Sequence, residues 1–380
     1  MKKTYRFRLY PSQGQEQHLF NTFEVCKQIY NDLLRVSIDA YNSEGRTLRR
    51  FDYNKYLTGK YIGIHSQVKQ NVSDRVHKAF QNFFRRVKDK SYKRKGFPRF
   101  KSRVNSITYP QIGFKFVSDK RLYASKVGNI PIVLHRTPKG KLKTMTIKVN
   151  QAGQWFAIFS CEINIPKALH PSDKKVGIDM GLEYFATLSN GIHIENPRYI
   201  VKAERHLKRL QRHLSRKKIG SKNRQKAKNR LAKQHVKVAD QRWDFLHKTA
   251  YQITQKYSFI AVEKLNIKGM MKNHHLARSI GDASWNSFIQ MLAYKAVTRG
   301  GQLVKINPRG TSITCSKCKT SVDMPLSKRK FNCPVCGFAR HRDVNAAINI
   351  LKIGQGLPEF TPVDRPASAT RFNFGGKWTD

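Results

Sequence analysis

Residues 176–195 read VGIDMGLEYFATLSNGIHIE. The runs VGIDMG, EYFATLSNG and IHIE are three apolar segments in succession, and Asn190-Gly191 between the last two is a hairpin signal, so three consecutive strands are expected here. Downstream, SFIAVEKL (258–265) is a buried-strand candidate, SWNSFIQMLAYKAVTRGG (284–301) has the period of an amphipathic helix ending at glycines, and QLVKINP (302–308) returns to strand. Strands that alternate with helices indicate an α/β layer.

Three acids border apolar segments of this layer. Asp179 stands in VGIDMGL, Glu263 ends FIAVEKL, and Asp343 opens RDVNAAINIL, a helix with Val344, Ala347, Ile348 and Leu351 on its buried face. A carboxylate in such surroundings is costly unless it is paired. One reading is three separate ion pairs with Lys or Arg, which this chain has in plenty. The other is convergence: acids at two strand ends and one helix start of a single α/β domain can meet, and an open set of oxygen ligands suits Mg²⁺ or Mn²⁺. Two such ions would assist hydrolysis of a phosphodiester.

Just before Asp343, Cys315, Cys318, Cys333 and Cys336 form two CxxC pairs separated by fourteen residues. Each CxxC turn can present two thiolates, and two turns close a tetrahedron around structural Zn²⁺ with no position left for substrate. The alternative is four unliganded core thiols. The remaining cysteines, Cys26 and Cys161, read as buried apolar residues in a reducing compartment.

The whole chain of 380 residues is long enough for about two to four domains. It carries 74 Lys or Arg against 24 Asp or Glu, a formal charge of +50, which points to a polyanionic partner, nucleic acid before a membrane surface. No apolar run of membrane-spanning length exists, and Arg6 and Arg8 interrupt the start, MKKTYRFRLYPSQ, where a secretion signal needs apolar residues. A soluble, cytoplasmic protein is expected, nucleoid-associated when bound to DNA. The alternation in TYRFRLY (4–10) reads as a half-exposed strand. Residues 15 to about 90 carry helical stripes (Leu19, Phe20, Phe23, Cys26, Ile29, Tyr30, Leu33; then Val68, Val72, Val76, Phe80, Phe83, Phe84, Val87), and residues 107–165 favour the short strands of a small barrel or sandwich. Residues 202–237 hold fifteen Lys or Arg and one acid, as expected for a basic helical hairpin broken at IGS.

GIDMGLEYFATLSNG, FIAVEKLNIKGM and TCSKC…CPVCGFARHRDVNAAINIL resemble the three RuvC motifs, with an inserted zinc ribbon, of the TnpB family of transposon-encoded RNA-guided DNA nucleases, which are similar to type V CRISPR effectors. SIGDASWNSFIQMLAYKA, NPRGTSITCSKC, AFQNFFRR and GFPRFKS also follow that family, so the resemblance spans about residues 4 to 355. It implies a multi-domain α+β chain: a wedge-like β-barrel from 1–10 and 96–170, a helical recognition domain over 11–95, an RNase H-like (RuvC) nuclease over 171–310 and 338–355, a zinc ribbon over 311–337, and a loose C-terminal tail over 356–380. Asp179, Glu263 and Asp343 are then the metal-binding catalytic acids. The implied partners are a guide RNA from the transposon end and double-stranded target DNA, with the protein reading only a short flanking motif. No membrane and no protein oligomer is implied. Lys319 departs from the pattern, standing where the family usually has glycine.

Residues placed to touch nucleic acid are Tyr5, Arg6, Arg8, Gln67, Gln70, Arg99, Lys101, Arg216, Lys217, Lys218 and Arg224, with Phe7, Tyr92, Phe97 and Phe100 as further stacking candidates. Two other functions fit parts of the pattern. A guide-dependent DNA-binding regulator with a silent nuclease fold is opposed by the presence of all three acids, and an RNA-independent RuvC-like resolvase or transposase differs in not needing RNA.

Overall fold

In the computed structural model, residues 1–356 are described apart from 90, 93, 165–169 and 326–327; the expected tail beyond 356 lies outside the described residues. The chain divides into two compact units, residues 1–164 with 213–233, and residues 165–212 with 234 onward.

The first unit begins with β1 (Lys2–Leu9), α1 (Gln13–Glu44), α2 (Arg50–Leu57) and α3 (Ser66–Lys88). Six strands follow: β2 (Ser106–Tyr109), β3 (Phe114–Ser118), β4 (Arg121–Ala124), β5 (Gly128–Val133), β6 (Lys141–Val149) and β7 (Trp155–Glu162). They form one sheet in the order β2-β6-β7-β1-β5-β4-β3, so the opening strand sits at its centre. The alternation in β1 sends Tyr5, Phe7 and Leu9 into the core and leaves Arg6 and Arg8 over the Phe156 ring. Ser12 caps α1 in a reciprocal box with Gln15, and Gly45 closes it in the left-handed conformation. The apolar stripes of α1 and α3 join the sheet residues in one continuous core.

Among the described residues the pairings end at β2 and β3, so the sheet is curled and open, where the strand pattern allowed a small barrel or a sandwich and the family resemblance implied a wedge-like barrel. The reason lies at β2. The buried α3 face packs nearby, and the Arg75 guanidinium donates to Ser106 O and Thr108 Oγ1, covering an edge that another strand would otherwise pair.

The second unit begins with β8 (Lys175–Asp179), β9 (Tyr184–Leu188) and β10 (His193–Glu195), then a helical hairpin of α4 (Tyr199–Ser215) and α5 (Lys222–Lys256) whose tip, 213–233, belongs to the first unit. β11 (Phe259–Glu263), α6 (Ile267–Met270), α7 (His274–Ala283), α8 (Trp285–Val297) and β12 (Gln302–Ile306) follow. The chain then makes the small hairpin β13 (Lys330–Asn332) and β14 (Ala339–His341) and ends in α9 (Arg342–Gly354). The five-stranded sheet has the order β10-β9-β8-β11-β12. β10, β9 and β8 are antiparallel, while β8, β11 and β12 run parallel.

The two faces of this sheet divide by residue parity. Val176, Ile178, Ile260 and Val262 pack with Leu246, Ala250 and Ile253 of α5 and with Phe288, Ile289 and Leu292 of α8. Phe259 and Ala261 face the other way, onto Ile350, Leu351 and Ile353 of α9. Burial on both faces explains why β8 and β11 read as continuous apolar runs. Among the described residues no helix is long and apolar enough to cross a membrane.

Candidate active site

β8 and β11 pair in parallel from Phe259–Lys175 to Val262–Ile178. The next step of that register sets Asp179 beside Glu263, on neighbouring strands ~4.8 Å apart. Both positions share the parity of Gly177, Phe259 and Ala261, so both carboxylates stand on the α9 face.

Two glycines bring α9 down onto that face. A Cβ on Gly177 would lie 2.0 Å from Ala347 O and 2.7 Å from Leu351 N, and one on Gly354 would lie 2.6 Å from Ala261 Cβ. Helix backbone therefore touches strand backbone, an approach open only to residues without a side chain. Ala347 and Leu351 lie over Gly177, and the start of the helix lies toward the C-terminal ends of the strands. Asp343, one turn before Ala347, comes over Asp179 and Glu263. The three acids expected to meet are thus brought together.

In their environment burial and mutual repulsion outweigh the pull of the neighbouring cation. Burial, then repulsion from Glu263 and from Asp343, raises the Asp179 carboxyl to about 8, against the opposing pull of Arg342 and the Met180 N–H. Glu263 is also raised by burial, opposed by a 2.6 Å hydrogen bond donated by the Thr311 hydroxyl. Arg342 Nε lies 3.5 Å from Asp343 Oδ1. Arg342 thus lies beside Asp343 and acts through its charge on Asp179.

Asp282, equally buried, shows what the ion-pair alternative looks like. Arg242 donates to Asp282 Oδ1 from Nε at 3.2 Å and from Nη2 at 2.7 Å, and Ile200 N donates to Oδ2. Among the described residues Asp179 and Glu263 have no such fork. Their donor set, hard oxygens with surplus negative charge and Asp179 half-buried, is of the chemical kind that a divalent cation takes, although among the described residues the ligand atoms drawn closely together as a group are those of the four cysteines.

The cysteines form a second centre. Their four Sγ atoms lie within 4.8 Å of one another, with Cys315–Cys336 at 3.7 Å and Cys318–Cys333 at 3.5 Å, a group that could hold a metal ion. Hydrogen bonding to Thr320 lowers the Cys318 thiol to about 6, while burial pushes Cys315 up to about 12. The two knuckles have the same backbone: Lys319 and Gly337, each just after a second cysteine, have φ of 67° and 68°. Lys319 therefore occupies a left-handed position that glycine takes in the other knuckle.

Several expected contact residues do other work. Tyr5 and Phe7 are buried in the core and offer no free ring face, because β1 is central in its sheet. The Tyr5 hydroxyl accepts from Lys139 N. Gln67 Oε1 accepts from Gln111 N and Ile112 N, so it ties a loop to α3. Arg224 Nη1 donates to Leu214 O and Lys217 O, closing the end of α4. Arg8 is half-buried over Tyr10 and Phe156, and Lys217 is half-buried. Arg6, Gln70, Arg99, Arg216, Lys218 and the stacking candidates Tyr92, Phe97 and Phe100 remain exposed, as does Lys101, whose main chain pairs with the Asn31 amide.

The sequence reading missed Thr311, Arg342, Asn345 and Asn349. Asn345 and Asn349 are fully buried, although they lie four residues apart in an otherwise apolar helix, which was the available signal. It also missed a ring cluster in which His341 lies 4.9 Å from His193 and 6.2 Å from Tyr184, with His341 Nδ1 accepting from Asp343 N.

Comparison with known proteins adds independent weight. Family models match residues 158–274 ("Probable transposase"), 285–350 ("Cas12f1-like, TNB domain") and 1–46 ("Helix-turn-helix domain"), the last folding here as β1 and the single long helix α1. A Streptomyces pristinaespiralis protein named "Putative RNA-guided DNA endonuclease" is 33% identical, the match covering 93% of this chain and 90% of the relative. An Escherichia coli K12 protein named "Putative RNA-guided DNA endonuclease InsQ" is 30% identical, with 93% of both chains covered. A solved structure of the mini RNA-guided endonuclease CRISPR-Cas phi3 shares the fold with a TM-score of 0.54 at 8% identity, over 95% of this chain and 93% of that one. With such identity sustained over nearly its whole length, the chain belongs to the OrfB/TnpB family.

Proposed function

We propose that this protein is a transposon-encoded, RNA-guided DNA endonuclease that hydrolyses target phosphodiesters at Asp179, Glu263 and Asp343. The observation that carries the reading is the meeting of two strand-end carboxylates with a third from the start of α9, whose mutual repulsion and burial outweigh the pull of Arg342 on Asp179. Nature tolerates such a concentration of buried charge where a cation completes it. Mg²⁺ or Mn²⁺ held there would polarise the phosphoryl oxygens and activate water for in-line attack.

The residues themselves do the positioning. The parallel register of β8 and β11 fixes the spacing of Asp179 and Glu263, and the close seat of α9 fixes Asp343 against them. Thr311 holds the Glu263 carboxylate in one orientation. Burial keeps a proton on Asp179 near neutral pH while the site is metal-free, so divalent-ion binding is coupled to its release. The strand order β10-β9-β8-β11-β12, antiparallel then parallel, supports an RNase H-like (RuvC) nuclease for the second unit.

The four cysteines hold structural Zn²⁺ in this reading. A tetrahedral site with Zn–S of ~2.3 Å has S···S edges of ~3.8 Å, close to the 3.5 Å and 3.7 Å found here. In this reading residues 1–10 and 96–170 form the wedge and 11–95 the helical recognition domain, all but 165–170 of them lying in the first unit. Its exposed basic residues, with the charge of +50, suit a guide RNA and its DNA target.

The test uses the protein purified with its bound RNA. Asp179→Ala is expected to lose cleavage of a matched plasmid while DNA affinity stays within about twofold. A variant that cuts at the wild-type rate would remove the catalytic assignment, and wild-type cutting that survives complete RNase digestion would favour the RNA-independent resolvase.

A further inference from the structure

The loop between β12 and the cysteine hairpin joins the two candidate metal centres through explicit hydrogen bonds. At one end Thr311, 1% exposed, donates its hydroxyl to Glu263 Oε1 at 2.6 Å, with Pro308 O as a second acceptor at 3.1 Å. At the other end Cys315 enters the thiol cluster. Between them α9 grips the loop. Asn349 Nδ2 donates to Thr311 O and Thr314 O at 2.9 and 2.7 Å, Asn345 Nδ2 donates to Thr314 O at 2.8 Å, and Ser316 N donates to Asn345 Oδ1 at 2.8 Å. Lys352 Nζ adds a bond to Ser316 O.

These residues lie on the side of α9 opposite the sheet. With about 100° per residue, Asn345, Asn349 and Lys352 lie roughly half a turn from Asp343, Ala347 and Leu351. The helix is therefore held between the strands that carry two acids and the loop that carries a cysteine. Asn349 Oδ1 is buried with no hydrogen-bond partner among the described residues. An apolar side chain would avoid that cost, so the amide is retained for what its nitrogen holds.

Thr311 is buried from solvent, and its hydroxyl removes one of the rotational freedoms of the Glu263 carboxylate. Resting on the reading of Asp179, Glu263 and Asp343 as the nuclease centre, we propose that Thr311 is a positioning residue for Glu263. The Asn345–Asn349 latch makes its placement depend on the folded cysteine knuckle. Loss of the metal from the knuckle would then weaken divalent-ion binding at the acids, not nucleic-acid affinity.

The experiment compares Thr311→Val, which keeps the shape and removes the hydroxyl, with Thr311→Ser, which keeps the hydroxyl, both as full-length protein with its RNA. Partners one shell outside a metal site typically change affinity or activity by about 10–100-fold. Thr311→Val is expected to lower kcat by that factor and to raise the Mn²⁺ midpoint about tenfold, in cleavage and in Mn²⁺ binding followed by electron paramagnetic resonance. The binding signal is the difference from Glu263→Gln, which cancels ions held by RNA. KM for DNA and zinc content are expected to stay at wild-type values, and Thr311→Ser to restore both kcat and midpoint. A Thr311→Val protein with unchanged kcat and midpoint would overturn the proposal, and so would a Thr311→Ser protein as impaired as Thr311→Val, since that pattern belongs to the methyl group. Asp179→Ala, run beside them, separates the cases: if it still cuts, the nuclease centre itself is misassigned.

Discussion

At Asp179 a single carboxyl reports the state of the whole site. Its unfolded value is that of an ordinary aspartate, about 3.9, and its folded value is about 8, raised by burial and by Glu263 and Asp343. A raised acid binds its proton more tightly in the folded state, so its contribution to stability is most favourable below about 3.9, declines as pH rises, and levels off above about 8. For metal-free protein, Asp179→Asn is therefore expected to raise the melting temperature at pH 8 and to do little at pH 4. Thermal melts in chelator at the two pH values check this. Equal shifts at both would mean that the carboxyl carries no such penalty. The acid was legible in the sequence because it interrupts an apolar strand, and so was Glu263 for the same reason. Thr311 and Arg342 were not, since a threonine in a turn and an arginine on a helix have no one-dimensional signature of the carboxylate they meet.

The elements that carry these residues were mostly readable from period. β8, β9, β10, β11, β12, α8 and α9 lie where apolar runs and turn residues put them, and Asn190-Gly191 makes the expected turn with Gly191 at φ 89°. Curling of the first sheet was not readable, because it depends on where α3 and Arg75 meet β2, a contact between distant segments. Nor was the role of Gly177, which looks like an ordinary strand glycine until α9 is laid on it. Gly177→Ala would drive a methyl group into Ala347 O and Leu351 N, both helix backbone that cannot swing aside. The expected cost is about 1–3 kcal/mol, typical of overpacking. Because the displaced end of α9 bears Asp343, cleavage should fall by more than the stability loss explains. Denaturant unfolding and single-turnover cleavage on the same preparation check this; wild-type cleavage by a destabilised variant would mean that the seat of α9 does not set the site.

For the molecule as a whole, charge was the plainest message of the sequence and contact identity the faintest. A formal +50 favours polyanionic partners, yet Tyr5 is core, Gln67 ties a loop, and Arg224 closes a helix end. Alternation and composition say which residues are basic or aromatic, while their availability is decided by packing against distant parts of the chain. The four cysteines escaped that difficulty because CxxC turns are local, and Asp179 and Glu263 escaped it because they end adjacent parallel strands, with Asp343 brought over them by the helix packed on the same face. The account therefore stands on the acid site, and the most direct test is anomalous diffraction at the manganese edge from the RNA-bound protein soaked in Mn²⁺. The account predicts a manganese peak within coordination distance of Asp179, Glu263 and Asp343, absent in Asp179→Ala; no peak there, with lysine or arginine side chains closing on the carboxylates, would contradict it.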